Sequence, residues 1–310
     1  MTAASSSESV LAEAAGVTRR FGTFTAVSDV SMSVGGGEIV GLIGANGAGK
    51  TTLIRMLLGL LSASEGRVAL SRQPPSRETR QRLGYVPQSL GLYADLTVTE
   101  NLRFIAHAFG TGAPTDLPDE LSEVRGRLVG DIGLGLQRQL AFVAALAHSP
   151  SLLVLDEPTS GVDPLARSRL WDTIHDQAER GVGVLVTTHY MQEADQCDRL
   201  VIMVAGHVAV AGTVREIIGG RTAVQVDTDS WEQALNALSE AQMPVVLSGR
   251  SVRVPDTPAG EVERVLQHAE LSTRITAVPS TLDETLITLG RAASGNDRAT
   301  GGDPRNNNAT

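Results

Sequence analysis

The stretch Gly44-Ala45-Asn46-Gly47-Ala48-Gly49-Lys50-Thr51-Thr52 most narrows what this chain can fold into. It follows the apolar run Ile39-Val40-Gly41-Leu42-Ile43 and leads into Leu53-Ile54-Arg55-Met56-Leu57-Leu58, so it reads as strand, glycine loop, helix, with Gly59 as the helix stop. Glycines at 44, 47 and 49 let backbone N–H groups turn inward around a polyphosphate, where a Cβ would crowd the oxygens. Lys50 can then reach the β- and γ-phosphates, and Thr51 can offer its hydroxyl to Mg2+. A ligand-free turn is the alternative reading. The full G-x-x-x-x-G-K-T spacing between a strand and a helix favours the phosphate cradle.

A chain of 310 residues, 42% of them hydrophobic, can bury a sizeable core, and one large and one small domain are expected. The net charge of -9 argues against a nucleic-acid binder that relies on a general basic surface. The single cysteine, Cys197, cannot form an internal disulfide, which fits a reducing compartment. No apolar run approaches the ~18 residues a membrane span needs, and no signal peptide is visible at the start. A soluble, cytoplasmic chain is therefore expected, with any membrane role exercised through a partner.

Residues 1–14 are rich in Ala, Ser and Glu and read as a flexible leader, with structure starting near Val17. Two alternating segments, from Val17 to Gly22 and from Ala26 to Val34, read as half-buried strands. Phe21 lies upstream of the cradle, where an aromatic ring could stack on a nucleotide base or simply fill the core. Leu83 to Gln88 reads as a strand ending in a glutamine, and residues 90–147 change to helical spacing, broken by a turn around Gly110 to Pro118. Ser151 to Glu157 is a buried strand ending in two carboxylates, and Val182 to Val186 is another, followed by Thr187-Thr188-His189. In a parallel sheet these strand ends share one edge, so Asp156, Glu157 and His189 should face the same crevice as Lys50.

Taken together, these motifs resemble the nucleotide-binding subunit of ATP-binding cassette (ABC) transporters over roughly Val17 to Ile218. Gly44 to Thr52 resembles the Walker A motif, Phe21 falls at the base-stacking aromatic, and Gln88 falls at the Q-loop position. Asp156 and Glu157 resemble Walker B with the catalytic base, Ser160-Gly161-Val162-Asp163 the D-loop, and His189 the switch histidine. The wording from Glu157 to Pro164, from Thr187 to Asp195 and from Leu92 to Leu102 is similar to the branch that exports drugs and antibiotics. The resemblance implies an α/β P-loop core with an antiparallel β subdomain and a helical subdomain near 89–148, the whole cassette covering 15–220. It also implies ATP with Mg2+ held by Thr51, Gln88 and Asp156, and a multi-spanning membrane subunit as partner at the cytoplasmic face of the membrane.

One motif departs from the family pattern. Where LSGGQ is usual, this chain has Ile132-Gly133-Leu134-Gly135-Leu136. Gly133 replaces a serine that contacts the γ-phosphate, Leu134 replaces a glycine, and Gly135 is kept. In the family, ATP lies between two cassettes, with the cradle from one and the signature from the other. Two assemblies therefore stay open: a heterodimer with a second, intact cassette, and a homodimer whose remaining backbone amides suffice.

Beyond Gly219-Gly220 the order strand, helix, two strands, helix, strand, helix over 221–290 resembles a small split βαβ domain, with Thr281 and Glu284 at capping-box spacing before the last helix. Residues 291–310 read as a disordered tail. Two other functions compete with an exporter ATPase: a soluble regulatory or translation-associated ABC ATPase, and an import ATPase. One cassette and a net acidic balance disfavour the first, and the exporter-like wording disfavours the second.

Overall fold

Residues 10–300 are described by a computed structural model, in which the chain divides into two compact units after Ala211. The first unit runs β1 (Ala12–Phe21), β2 (Phe24–Val34), β3 (Ile39–Ile43), α1 (Lys50–Leu57), β4 (Glu65–Leu70), α2 (Arg77–Arg80), β5 (Leu83–Val86) and α3 (Val98–Phe109). It continues with α4 (Asp119–Glu123), α5 (Leu134–Leu146), β6 (Leu152–Asp156), α6 (Pro164–Glu179), β7 (Gly183–Thr188), β8 (Arg199–Val204) and β9 (His207–Gly212). The second unit contains α7 (Val214–Ile218), β10 (Thr222–Asp227), α8 (Trp231–Glu240), β11 (Val246–Ser248), β12 (Ser251–Pro255), α9 (Ala259–His268), β13 (Arg274–Pro279) and α10 (Leu282–Thr300).

Every residue of β3, β6 and β7 is buried, as expected of strands covered on both faces, and they sit inside a six-stranded sheet of order β5-β6-β7-β3-β8-β9. The pairs from β5 through β8 are parallel, and their register sets Ile43 beside Thr188 and Asp156 beside Thr187. The carboxyl ends of β3, β6 and β7 are thereby level. The glycine loop, the two carboxylates and His189 all leave the sheet at that edge.

A second, three-stranded antiparallel sheet of order β2-β1-β4 shares one hydrophobic core with α1 and the central sheet. Here β1 starts at Ala12, not near Val17. Ala12 and Ala14 are each 2% exposed and pair with Val34 and Met32, so the end of the expected flexible leader is a strand whose small side chains concealed its inward face. Residues 1–9 lie outside the described residues.

The insert between β5 and β6 has its own core, formed by Val98, Leu102, Leu121, Val129, Ile132, Leu140 and Ala144. Helix α3 starts with a reciprocal cap: Thr97 Oγ1 accepts from Glu100 N at 3.2 Å, and Glu100 Oε2 accepts from Thr97 N at 2.8 Å. Such a cap is worth about 1 kcal/mol. Asn101, 1% exposed, ties the preceding loop to the same helix: its amide nitrogen donates to the carbonyls of Tyr93, Leu96 and Thr97 at 3.0, 3.3 and 3.1 Å, and its oxygen accepts from Tyr93 N at 2.9 Å.

In the second unit the four-stranded antiparallel sheet has order β11-β12-β10-β13, the arrangement of a split βαβ domain. Ala234 and Leu238 of α8 and Val262 and Leu266 of α9 cover it through Val224, Val226, Val252 and Val254. The unit begins at Gly212 rather than after Gly220, because α7 packs against α10 and buries Ile217. Thr281 and Glu284 form the expected reciprocal cap, Thr281 N donating to Glu284 Oε2 at 2.8 Å and Glu284 N to Thr281 Oγ1 at 3.3 Å. Helix α10 continues to Thr300 through the first part of the expected disordered tail, since Arg291-Ala292-Ala293 carries high helix propensity. Residues 301–310 lie outside the described residues.

Candidate functional site

The glycine loop closes onto the start of α1 with no side chain capping that helix, so the first-turn amides are left for a ligand. Lys50 is 5% exposed, and its ammonium donates to the carbonyls of Gly44 and Ala45 at 2.7 and 3.2 Å, folding the loop around itself. Burial pushes the Lys50 ammonium below its ordinary value, while the charges of Glu157 and Asp156 oppose that shift. An arriving polyphosphate would act in the same direction as those carboxylates and favour the charged lysine.

Across the cleft, Asp156 is 3% exposed at the end of β6 and accepts from Thr51 Oγ1 at 3.3 Å and from Thr187 Oγ1 at 2.8 Å. Thr187 also accepts from Glu157 N at 2.8 Å, so one hydroxyl at the end of β7 orients both acidic residues. Glu157 has φ 53°, a left-handed backbone uncommon for glutamate, just beyond the strand. Its carboxylate accepts from Gln88 Nε2 at 3.1 Å and lies 3.8 Å from His189 Nδ1. A cleft of about 540 Å³ is lined by Asn46, Gly47, Ala48, Gly49, Lys50, Thr51, Thr52, Gln88, Glu157, Ser160 and His189, with Phe24 and Ala26 at its border.

A hydroxyl, a carboxylate and an amide oxygen are hard donors suited to Mg2+, and Thr51 and Asp156 already stand 3.3 Å apart. Among the described residues no group of three His, Cys, Asp or Glu side chains could hold an ion by itself. The single carboxylate and two neutral oxygen donors fit an ion that would share its shell with phosphate oxygens and water.

The remaining sequence candidates fall elsewhere. Phe21 does not line the cleft and is not a core residue: it is 46% exposed, and the Arg19 guanidinium sits 4.6 Å above its ring. The tight turn after β1 pairs Phe21 with Phe24 across the hairpin, and it is Phe24 that borders the cleft. Gly133 is the N-cap residue of α5 and Gly135 lies in its first turn. Asp163 caps α6, accepting from Leu165 N and Ala166 N at 3.0 Å each, and these bonds hold its carboxyl below the usual range. Gly135 and Asp163 line a separate cavity between α4, α5 and α6, so neither they nor Gly133 meet Lys50 within one chain. Cys197 is buried, and burial pushes its thiol up to about 12, which makes it inert. Thr187 went unassigned by sequence reasoning because its two partners are revealed only by the pairing of β6 with β7.

The family model described as ABC transporter matches residues 27–160. The probable multidrug ABC transporter ATP-binding protein YbhF of Escherichia coli (strain K12) is 41% identical over 212 residues, covering 65% of this chain and 37% of that protein. The chain thus spans little more than a third of that relative's length. The Nod factor export ATP-binding protein I of Burkholderia lata is 40% identical over 214 residues, covering 65% of this chain and 70% of that protein. Among solved structures, an ATP-binding subunit of an ABC transporter superposes with a TM-score of 0.62 at 30% identity, covering 67% of this chain and 91% of that one. The dimeric cassette MJ0796 superposes with a TM-score of 0.59 at 22% identity over 66% of this chain and 99% of that one, a likeness of fold alone. With the glycine loop, the paired carboxylates and the histidine meeting at one sheet edge, the chain belongs to the ATP-binding cassette family of ABC transporters.

Proposed function

We propose that this chain binds and hydrolyses ATP as the energy-coupling subunit of an exporter of drugs or other small molecules, acting through a separate multi-spanning membrane subunit at the cytoplasmic face of the membrane. The observation that carries the reading is the convergence of Lys50, Thr51, Gln88, Glu157 and His189 on one cleft, with Asp156 hydrogen-bonded to Thr51. Lys50 and the first-turn amides of α1 bind and neutralise the phosphates. Phe24, with Phe21 paired beside it, offers an aromatic surface for the base. Glu157 orients the attacking water and accepts its proton, Gln88 steadies that carboxylate, and His189 contacts the γ-phosphate. Thr51 and Asp156, with Gln88, would hold Mg2+, which when bound would supply charge neutralisation to the phosphates. The export direction rests on the multidrug and Nod factor relatives.

Among the described residues no helix is long and apolar enough to cross a membrane. A groove of about 470 Å³, lined by Tyr85, Pro87, Leu90, Leu92, Ile105 and Phe109 among others, opens beside Gln88 and suits an apolar segment of the membrane subunit. The loop that Asn101 braces runs from this groove to α3, which makes it the mechanical link. Affinity purification of a tagged chain from membranes, with Glu157→Gln to hold the ATP-bound form, is expected to bring down a multi-spanning membrane protein. Recovery with ribosomal or nucleic-acid-binding proteins and no membrane protein would overturn the transport reading.

The second cassette is either a copy of this chain or a different one with an intact signature. A Cβ built at Gly133 meets nothing within 4 Å, and its φ of -62° with ψ of 153° is open to any residue. Gly133→Ser therefore fits without strain and adds a cap to α5. If the site is built from two copies of this chain, the restored hydroxyl is expected to raise the ATPase rate of the purified chain by about tenfold or more. An unchanged rate assigns catalysis to the mixed pair.

A further inference from the structure

Arg138 lies in the second turn of α5 and is 5% exposed, a rare place for a permanently charged side chain. Its Nη1 donates to the carbonyl of Glu157 at 3.0 Å and to that of Pro158 at 2.9 Å. Its Nε is buried without a hydrogen-bond partner. Burial pushes the guanidinium below its ordinary value, and the charge that most opposes that shift is Glu157 itself. A buried cation that leaves one donor unused is costly to keep, and an apolar side chain of the same length would pack there at less expense of desolvation.

What the guanidinium does is hold one peptide segment. Glu157 sits at φ 53°, a strained backbone for a glutamate that persists only where the surroundings hold it. Thr187 grips the amide side of this residue and Arg138 grips the carbonyl side and the next carbonyl. The side chain between these two grips is the one that Gln88 and His189 approach. We propose that Arg138 is a positioning residue for hydrolysis: from α5 it locks the backbone on either side of the Glu157–Pro158 bond, so that the Glu157 carboxylate is held at the cleft. The inference rests on the proposed role of Glu157, and it ties the helix that begins at Gly133-Leu134-Gly135 to the base of the same chain's cradle.

Arg138→Gln removes the charge and shortens the reach, whereas Arg138→Lys keeps the charge and one donor group. Displacing a catalytic group by about 1 Å costs up to about 100-fold. Arg138→Gln is expected to lower kcat by about 10- to 100-fold while the Kd for MgATP stays within about twofold, with Arg138→Lys intermediate. In a Glu157→Gln background, the residual hydrolysis should be indifferent to Arg138→Lys, because the arginine acts through that carboxylate. Where Arg138→Gln fails to fold, Arg138→Lys alone carries both measurements. Unchanged kcat, an equal loss of ATP affinity and kcat, or an additive loss in the double variant would each overturn the proposal. Should the wild-type chain show no ATPase either alone or with the cassette and membrane subunit that co-purify with it, the proposed function falls; amide exchange over residues 156–160 then decides the backbone lock, which predicts faster exchange in Arg138→Lys and is overturned by no change.

Discussion

Glu157→Gln is expected to lower ATP hydrolysis by about 100-fold or more while MgATP binding is retained. The change keeps shape and one oxygen acceptor, so the donation from Gln88 Nε2 at 3.1 Å can survive, as can the bonds that Thr187 and Arg138 make to the backbone. What disappears is the negative charge to which the proposed function assigns the polarisation of water. The glycine loop itself is untouched, because Lys50 donates its hydrogen bonds to the carbonyls of Gly44 and Ala45, not to Glu157. Phosphate release would report the rate, and fluorescence of a nucleotide analogue would report binding. A rate within threefold of wild type would remove Glu157 from the role of base. A parallel loss of binding would mean that Glu157 supports the nucleotide site itself and not only the reaction.

How much of this site could be read from the chain depends on how locally each contact is made. The loop from Gly44 to Thr52 was legible because its glycines, its lysine and the flanking apolar runs lie within some twenty consecutive positions, and the strand and helix it joins are where the pattern puts them. The split βαβ order of the second unit was legible for the same reason: each strand and helix is short, regular and bounded by its own turn. Arg138 and Thr187 were not legible in their roles. Each acts on Glu157 from 19 and 30 residues away, through a helix-to-strand approach and a strand register that no local pattern encodes. Phe24 was obscured by Phe21, since which ring of a hairpin pair faces a cleft depends on the turn between them. The start of β1 escaped because Ala12 and Ala14 are too small to give an alternating hydrophobic signal, although they are buried as thoroughly as the valines that do.

Gly49→Ala is expected to abolish measurable MgATP binding and to destabilise the first unit by about 3 kcal/mol, whereas Gly47→Ala costs about 1 kcal/mol. Both glycines have left-handed backbones, φ 100° at Gly49 and φ 83° at Gly47, so either alanine carries the same kind of torsional strain. Space separates them. A Cβ at Gly49 would stand 2.6 Å from the backbone oxygen of Ala26 and 3.2 Å from Val27 Cγ2, while one at Gly47 meets nothing within 4 Å. Ala26 and Val27 are buried in β2, so the strand cannot yield, and the loop must move instead. Because Gly49 is the N-cap residue of α1, any such movement carries the first-turn amides and Lys50 away from the phosphate positions. Denaturant unfolding can be read for the first unit alone through Trp171, with Trp231→Phe removing the second indole, which keeps the two units from being averaged into one transition. Equal losses for the two alanines would show that torsion alone sets the cost. A larger loss at Gly49, with binding gone, would mean that the close approach of β2 to the loop fixes where the phosphates are held.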